Sequence, residues 1–292
     1  MSDSESMVID AALVCRLVAE QFPQWAGLAV TPVACSGWDN RTFHLGAQMS
    51  VRLPSAEHYA PAVVKEQRWL PWLAPQLPLP IPQPLAQGGA SADYPWPWSI
   101  YGWLEGGIAS RDSIVDLTQF AVDLANFLRV LQSLDPTDGP VRKLRGGSLQ
   151  RYDGQFHEAL TRLDTSIDAG RALAIWQAAL AEPLVRTPVW YHGDVAAGNL
   201  LTRAGRLSAV IDFGGLGVGD PACDMSIAWT LLEPISRAAF RDELRVSTGV
   251  WNRGRGWALW KAMIVVSGLV QTNVIEANSA DYALAQLLGD DS

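Results

Sequence analysis

The chain has 292 residues, of which 49% are apolar and 18% charged, and its 22 basic and 30 acidic side chains leave a net charge of −8. At roughly 150 residues per domain this length suggests two domains or lobes, and the composition excludes a disordered, collagen-like or coiled-coil chain. No long segment concentrates Lys and Arg, which excludes binding of a nucleic-acid backbone as the main activity; an acidic chain instead tolerates or attracts a small cation.

Cys15, Cys35 and Cys223 are an odd set with neither disulfide-framework nor zinc spacing, which fits a reducing compartment. The opening Met-Ser-Asp-Ser-Glu-Ser is acidic where a secretory leader is basic, and the longest apolar run, Ala262 to Val270, is far short of the roughly 20 residues that span a bilayer. A cytoplasmic protein without a membrane partner is expected.

In chain order, Ile9, Leu13, Leu17 and Val18 return at helical spacing and predict a helix over 8–22. Short apolar runs at 28–33, 42–45 and 49–53, broken by Gly37, Gly46 and Pro54, predict a small antiparallel sheet. A second helix is expected over 57–74, ended or kinked by Pro71. The six prolines from Pro71 to Pro84 alternate with Leu77, Leu79, Ile81 and Leu85, the pattern of a packed extended connection rather than a mobile linker. Strands near 83–87 and 96–103 bring the first lobe to about five. Beyond Glu105-Gly106-Gly107 helices are expected over 113–134, 149–163, 167–180, 223–232, 236–246, 257–275 and 281–288. One strand at 189–191, a loop and a second strand at 207–213 interrupt them.

That island carries the chemistry, because loops held by a rigid scaffold carry sites. It reads His192-Gly193-Asp194-Val195-Ala196-Ala197-Gly198-Asn199 and, thirteen residues after Asn199, Asp212-Phe213-Gly214. Two carboxylates and an amide suit phosphoryl transfer, in which one carboxylate faces the attacking hydroxyl while a second and a neutral amide oxygen hold Mg²⁺ against nucleotide phosphates. Asp194 is the expected catalytic residue, and Asn199 and Asp212 the expected metal ligands. Any one of these residues alone would read as a turn former.

These motifs resemble those of the aminoglycoside phosphotransferase family, small-molecule kinases with a protein-kinase-like fold. His192-Gly193-Asp194 with Asn199 matches that family's catalytic loop, and Ile211-Asp212-Phe213-Gly214 its metal-binding segment. Gly219-Asp220-Pro221-Ala222-Cys223-Asp224 is similar to a family segment whose acidic residues brace the catalytic loop, which implies that role for Asp220 and Asp224. His192 is expected to prop the loop against Phe213 rather than act as a base. The resemblance implies an α+β, bilobal fold: an N-terminal lobe over 1–100 with a mostly antiparallel five-stranded sheet plus helices, a hinge over 101–106, and a larger, mainly helical lobe over 107–292.

Upstream, Ser36-Gly37-Trp38-Asp39-Asn40-Arg41-Thr42 lies where the family has its phosphate-covering turn, although a plain hairpin turn reads equally well. Gly37, Trp38, Asp39, Asn40 and Thr42 are the nucleotide-binding candidates there. Protein kinases place a Lys on the third strand, paired with a helix Glu. Here the strand reads Val51-Arg52-Leu53 and the helix offers Glu66, so Arg52 stands in for Lys; an incidental surface pair is the alternative. The main chains of Gly102 and Leu104 are expected to meet the nucleotide base.

Other motifs fail. Gly214 to Gly219 misses the dinucleotide spacing, His157-Glu158 lacks a second His for zinc, and no nucleophile elbow occurs. The expectation is a Mg²⁺-dependent kinase that moves the terminal phosphate of ATP or GTP to a hydroxyl-bearing small molecule, an aminoglycoside or related antibiotic. The alternatives are a kinase for a metabolite alcohol and a kinase-like nucleotide-binding module with little catalysis. Glu233, Glu276 and Asp290-Asp291 are the candidates for binding a cationic acceptor, against solvated helix faces.

Overall fold

The computed structural model describes residues 7–34, 37, 39–141 and 145–289. Trp38, Asp290 and Asp291 lie outside the described residues. The chain divides into two compact units, Met1–Gln76 with Pro80–Glu105, and Leu77–Leu79 with Gly106–Ser292. It is bilobal and kinase-like: a first lobe built on an antiparallel sheet and a larger helical second lobe.

In the first unit β1 (Val30–Pro32), β2 (Asn40–Leu45), β3 (Met49–Pro54), β4 (Pro84–Gly88) and β5 (Trp98–Gly102) form one sheet in the order β1-β2-β3-β5-β4, each pair antiparallel. Alternation decides which side chains go where. Phe43, Leu45, Val51, Leu53, Trp98 and Ile100 point to one face and form a core with Leu13, Val14, Leu17 and Val18 of α1 (Ala11–Gln21). Asp10 starts that helix by accepting the Leu13 N–H at 2.8 Å. On the opposite face Thr42, Arg52 and Ser99 stand in one cross-strand row. This face meets α2 (Ala60–Leu73), whose Gln67 amide donates to Ser99 Oγ and to the Ala86 carbonyl, both at 2.9 Å. Pro71 sits in the last turn of α2, which ends at Leu73. In the proline-rich stretch Ile81 is buried, and Leu77 and Leu79 are half-buried between exposed prolines.

The second unit contains β6 (Gly107–Ile108), α3 (Leu117–Ser133), α4 (Asp153–Leu163), α5 (Ala169–Ala181), β7 (Val189–Tyr191), β8 (Leu200–Arg203), β9 (Arg206–Val210) and β10 (Gly217–Gly219). It continues through α6 (Ile227–Thr230), α7 (Pro234–Leu244), α8 (Thr248–Val266) and α9 (Val274–Leu288). Most of α8 is buried, because it is apolar nearly all round, and it packs against α4, α5 and α9.

Several elements differ from the sequence reading. The helix expected over 257–275 is α8, which begins at Thr248 and ends at Val266, so 274–288 is a separate helix. Gly254 and Gly256 lie within α8, where a Cβ would lie 2.3 Å from Met225 Cβ and 2.5 Å from Ala179 Cβ, so close packing selects glycine inside the helix. The helix expected over 223–232 is a 3₁₀ segment, Pro221–Ser226, followed by the short α6. The strand expected to reach 213 ends at Val210. β6, β8 and β10, of two to four residues, are too short to announce themselves by alternation.

Candidate active site

Two hairpin-like pairings build the site of the larger unit. β7 pairs antiparallel with β10, and β8 with β9, so the loop from Tyr191 to Leu200 and the loop from Val210 to Gly217 leave the same strands side by side. The Ile211 N–H donates to the Asn199 carbonyl at 2.9 Å, and this places Asp212 next to Asn199. Asn199 Nδ2 donates to the Asp194 carbonyl at 2.9 Å and to Asp194 Oδ2 at 3.0 Å. One connected set of hydrogen bonds therefore gathers Asp194, Asn199 and the turn carrying Asp212.

The main chain is over-determined here. Asp224, fully buried, accepts the His192 N–H at 2.8 Å on one carboxylate oxygen and the Gly193 N–H at 2.7 Å on the other. Burial pushes its carboxyl above the ordinary value, against the pull of His192 and of these N–H donors. Gly193 has φ +88, and a Cβ there would lie 2.4 Å from the Gly215 carbonyl oxygen, so the two loops touch main chain to main chain. Asp212 takes φ +62, and its Oδ1 lies 3.4 Å from the Gly214 nitrogen.

His192 is buried and spends both ring nitrogens inside the protein. Nδ1 accepts the Asp194 N–H at 3.2 Å and Nε2 lies 3.0 Å from the Ile211 carbonyl, which assigns the Nε2–H tautomer. Its ring meets Phe213 edge-on at 4.5 Å. Neither nitrogen is left for a substrate proton. Asp220 caps the following 3₁₀ segment through Ala222 N–H at 2.9 Å and pairs with Arg253 of α8 at 2.6 Å, both side chains nearly fully buried.

Sequence reasoning missed Arg253 and also Arg145, which lies 3.7 Å from Asp194 Oδ1. Arg253 and Arg255 interrupt an apolar helix pattern, the only signal for Arg253; Arg145 gave none.

In the smaller unit Arg52 Nη1 is 3.9 Å from Glu66 Oε2, across the sheet–helix boundary. The Tyr101 hydroxyl donates to the same Glu66 oxygen, and Arg52 lies 5.9 Å from the Tyr101 ring centroid. Burial, then the Glu66 charge, pushes the Tyr101 hydroxyl well above its ordinary value, so it remains a donor. Tyr101 is another residue that sequence reasoning missed. Gly37, Asp39 and Asn40 lie on the turn into β2, with the Gly37 carbonyl accepting from Arg41 at 3.0 Å, and Thr42 stands opposite Arg52. Gly102 gives its N–H to the Gln83 carbonyl at 3.1 Å, whereas Leu104 has no backbone hydrogen bond among the described residues.

A metal is tested by its donor set. Asn199 uses its amide nitrogen on Asp194, so its side-chain oxygen is the atom it can offer a cation, and Asp212 adds a carboxylate. Two hard oxygens fit Mg²⁺, which keeps water and phosphate ligands and needs only one or two protein donors. Among the described residues no three His, Cys, Asp or Glu side chains gather into a self-sufficient metal cage. No helix among them is long and apolar enough to cross a membrane.

Among solved structures, the chain is similar to the GDP complex of wild-type aminoglycoside 2'-phosphotransferase-IIIa, at TM-score 0.73 and 18% identity over 94% of this chain and 97% of that one. The streptomycin–ATP ternary complex of APH(2")-IIa gives 0.59 at 17% identity, over 95% and 97%. Macrolide 2'-phosphotransferase MphH from Brachybacterium faecium gives 0.58 at 21% identity, over 96% and 99%. At such identities the likeness establishes the fold. A comparison with curated proteins by sequence finds no match. The model of the APH phosphotransferase enzyme family matches residues 29–260, most of the chain and all of the loops described above, and the chain belongs to that family.

Proposed function

We propose that the protein transfers the terminal phosphate of ATP or GTP to a hydroxyl of a small molecule, in a Mg²⁺-dependent reaction. Asp194 orients the acceptor hydroxyl and takes up its proton as the new oxygen–phosphorus bond forms and the bond from the terminal phosphorus to the bridging oxygen breaks, releasing ADP or GDP. Asn199 and Asp212 would hold the metal, which when bound would neutralise charge on the phosphates. The turn at Gly37, Asp39, Asn40 and Thr42 lies over the phosphates, Arg52 grips them with Glu66 and Tyr101 fixing its direction, and the Leu104 main chain and the Gly102 carbonyl face the base. Asp220 and Asp224, with His192, keep the catalytic loop in shape.

The observation that carries this reading is the unbroken hydrogen-bond connection from Asp194 through Asn199 to the turn that bears Asp212. It leaves Asp194 Oδ1, half-exposed and 3.7 Å from Arg145 Nη2, as the carboxylate oxygen that Asn199 does not use, available to an acceptor hydroxyl. The acceptor is an antibiotic or a metabolite alcohol; streptomycin, a macrolide, an amino sugar, homoserine and choline form the first panel.

The test is coupled ADP or GDP release over that panel with Mg²⁺ present. Turnover with at least one acceptor is expected. Asp194→Asn should lower it by about 10² to 10⁴-fold while nucleotide affinity stays within about twofold. Undiminished turnover in that variant rejects the assignment, and nucleotide binding without turnover on any acceptor favours the binding-module reading.

A further inference from the structure

A positive charge stands beside Asp194 from outside its own loop. Arg145 Nη2 lies 3.7 Å from Asp194 Oδ1, the oxygen that Asn199 does not use, and the two side chains remain 34% and 45% exposed. The position is built rather than accidental. On one side of Arg145 the Pro140 carbonyl accepts the Val218 N–H at 2.9 Å, and on the other the Gly146 carbonyl accepts the Asp220 N–H at 3.1 Å. A Cβ on Gly146 would lie 2.2 Å from Tyr191 Cε1, so the chain is pressed against the β7–β10 pair where Arg145 emerges.

The other carboxylate that Arg145 senses is already neutralised. Glu276, at the start of α9, pairs with Lys261 of α8 at 2.6 Å and also accepts from the Thr272 hydroxyl. Burial works against ionisation of Glu276, but Lys261 and its hydrogen bonds hold it below the ordinary value. Partial desolvation opposes the charge on Arg145, but the carboxylates of Asp194 and Glu276 raise its pKa above the ordinary value, so the guanidinium stays charged. An acceptor hydroxyl within reach of Asp194 necessarily brings its neighbouring substituents close to Arg145.

We infer that Arg145 is the specificity-determining residue of the acceptor side, a charge filter that admits acceptors neutral or anionic around the reacting hydroxyl and disfavours those carrying ammonium groups there. This rests on the phosphotransferase reading above and sets its substrate class. The filter acts through like-charge repulsion and, for a carboxylate or phosphate substituent, through the planar donor pair of the guanidinium.

The experiment measures kcat and KM with MgATP and MgGTP for the full chain on three acceptor types: streptomycin as a polycation, myo-inositol and a neutral hexose, and the anionic hydroxy acid glycerate. The wild type is expected to prefer the neutral or anionic types. Arg145→Gln should shift the ratio of kcat/KM between anionic and cationic acceptors by about tenfold toward the cation, chiefly through KM. Arg145→Lys, which keeps the charge, should hold that ratio within about threefold and shows that the fold survives substitution. A wild type that prefers streptomycin, or a ratio unmoved in Arg145→Gln while Asp194→Asn is inactive, overturns the filter and leaves the phosphotransferase reading intact. No turnover by the wild type with any acceptor overturns both.

Discussion

The two units hold their charged groups in opposite ways. In the smaller one, Arg52, Glu66 and Tyr101 reach one another with side chains from two strands and a helix, and the sheet register only brings them within range. In the larger one, Asp194, Asn199 and Asp212 sit on main chain that is itself bonded, through Asp224 to two N–H groups and through His192 to Ile211 and Asp194. A side-chain arrangement can absorb a substitution by moving one rotamer. A main-chain arrangement cannot, since each bond fixes the next residue's direction.

The sharpest way to break this contrast is Gly193→Ala. The added methyl meets the Gly215 carbonyl at 2.4 Å in a backbone conformation with φ +88, and a loss of about 3–5 kcal/mol with activity reduced to background is expected. Denaturant unfolding and turnover together check it; a variant with wild-type stability would mean that the loops part easily. Next comes Asp224→Ala, which orphans two buried N–H groups. A loss of about 2–4 kcal/mol is expected, with kcat falling more than KM rises.

On the other side of the comparison, Arg52→Gln should raise the nucleotide KM about tenfold while the melting temperature moves only a few degrees, with Arg52→Lys in between. Equal losses of stability in Arg52→Gln and Asp224→Ala would erase the distinction. The smallest effect concerns Glu276, whose carboxyl is held below the ordinary 4.5. A depressed folded value means that its stabilisation is present above 4.5 and is lost as pH falls through the folded value. Melting scans between about pH 6 and pH 3 should show Glu276→Gln losing less stability on acidification than the wild type.

The same contrast explains what was legible in the sequence. Residues 192–199 and 212–214 are contiguous and polar inside an apolar strand pattern, so the larger unit's loops were readable before any coordinates. The sheet of the smaller unit was readable from alternation, and the Arg52–Glu66 pair from its place on successive elements. Arg145, Arg253 and Tyr101 were not. Each reaches its partner over a separation along the chain that no local spacing encodes, 49 residues from Arg145 to Asp194 and 33 from Asp220 to Arg253. The start of α8 was hidden for the related reason that its glycines answer to packing partners elsewhere.

The main-chain contact between Gly193 and Gly215 also bears on how this molecule can diversify. A seam with no room for a methyl group is closed to mutational drift, so descendants with new chemical tastes must acquire them elsewhere. Arg145, which reaches Asp194 with a partly exposed side chain, is under no such constraint. A lineage built this way keeps its reaction and trades its clientele.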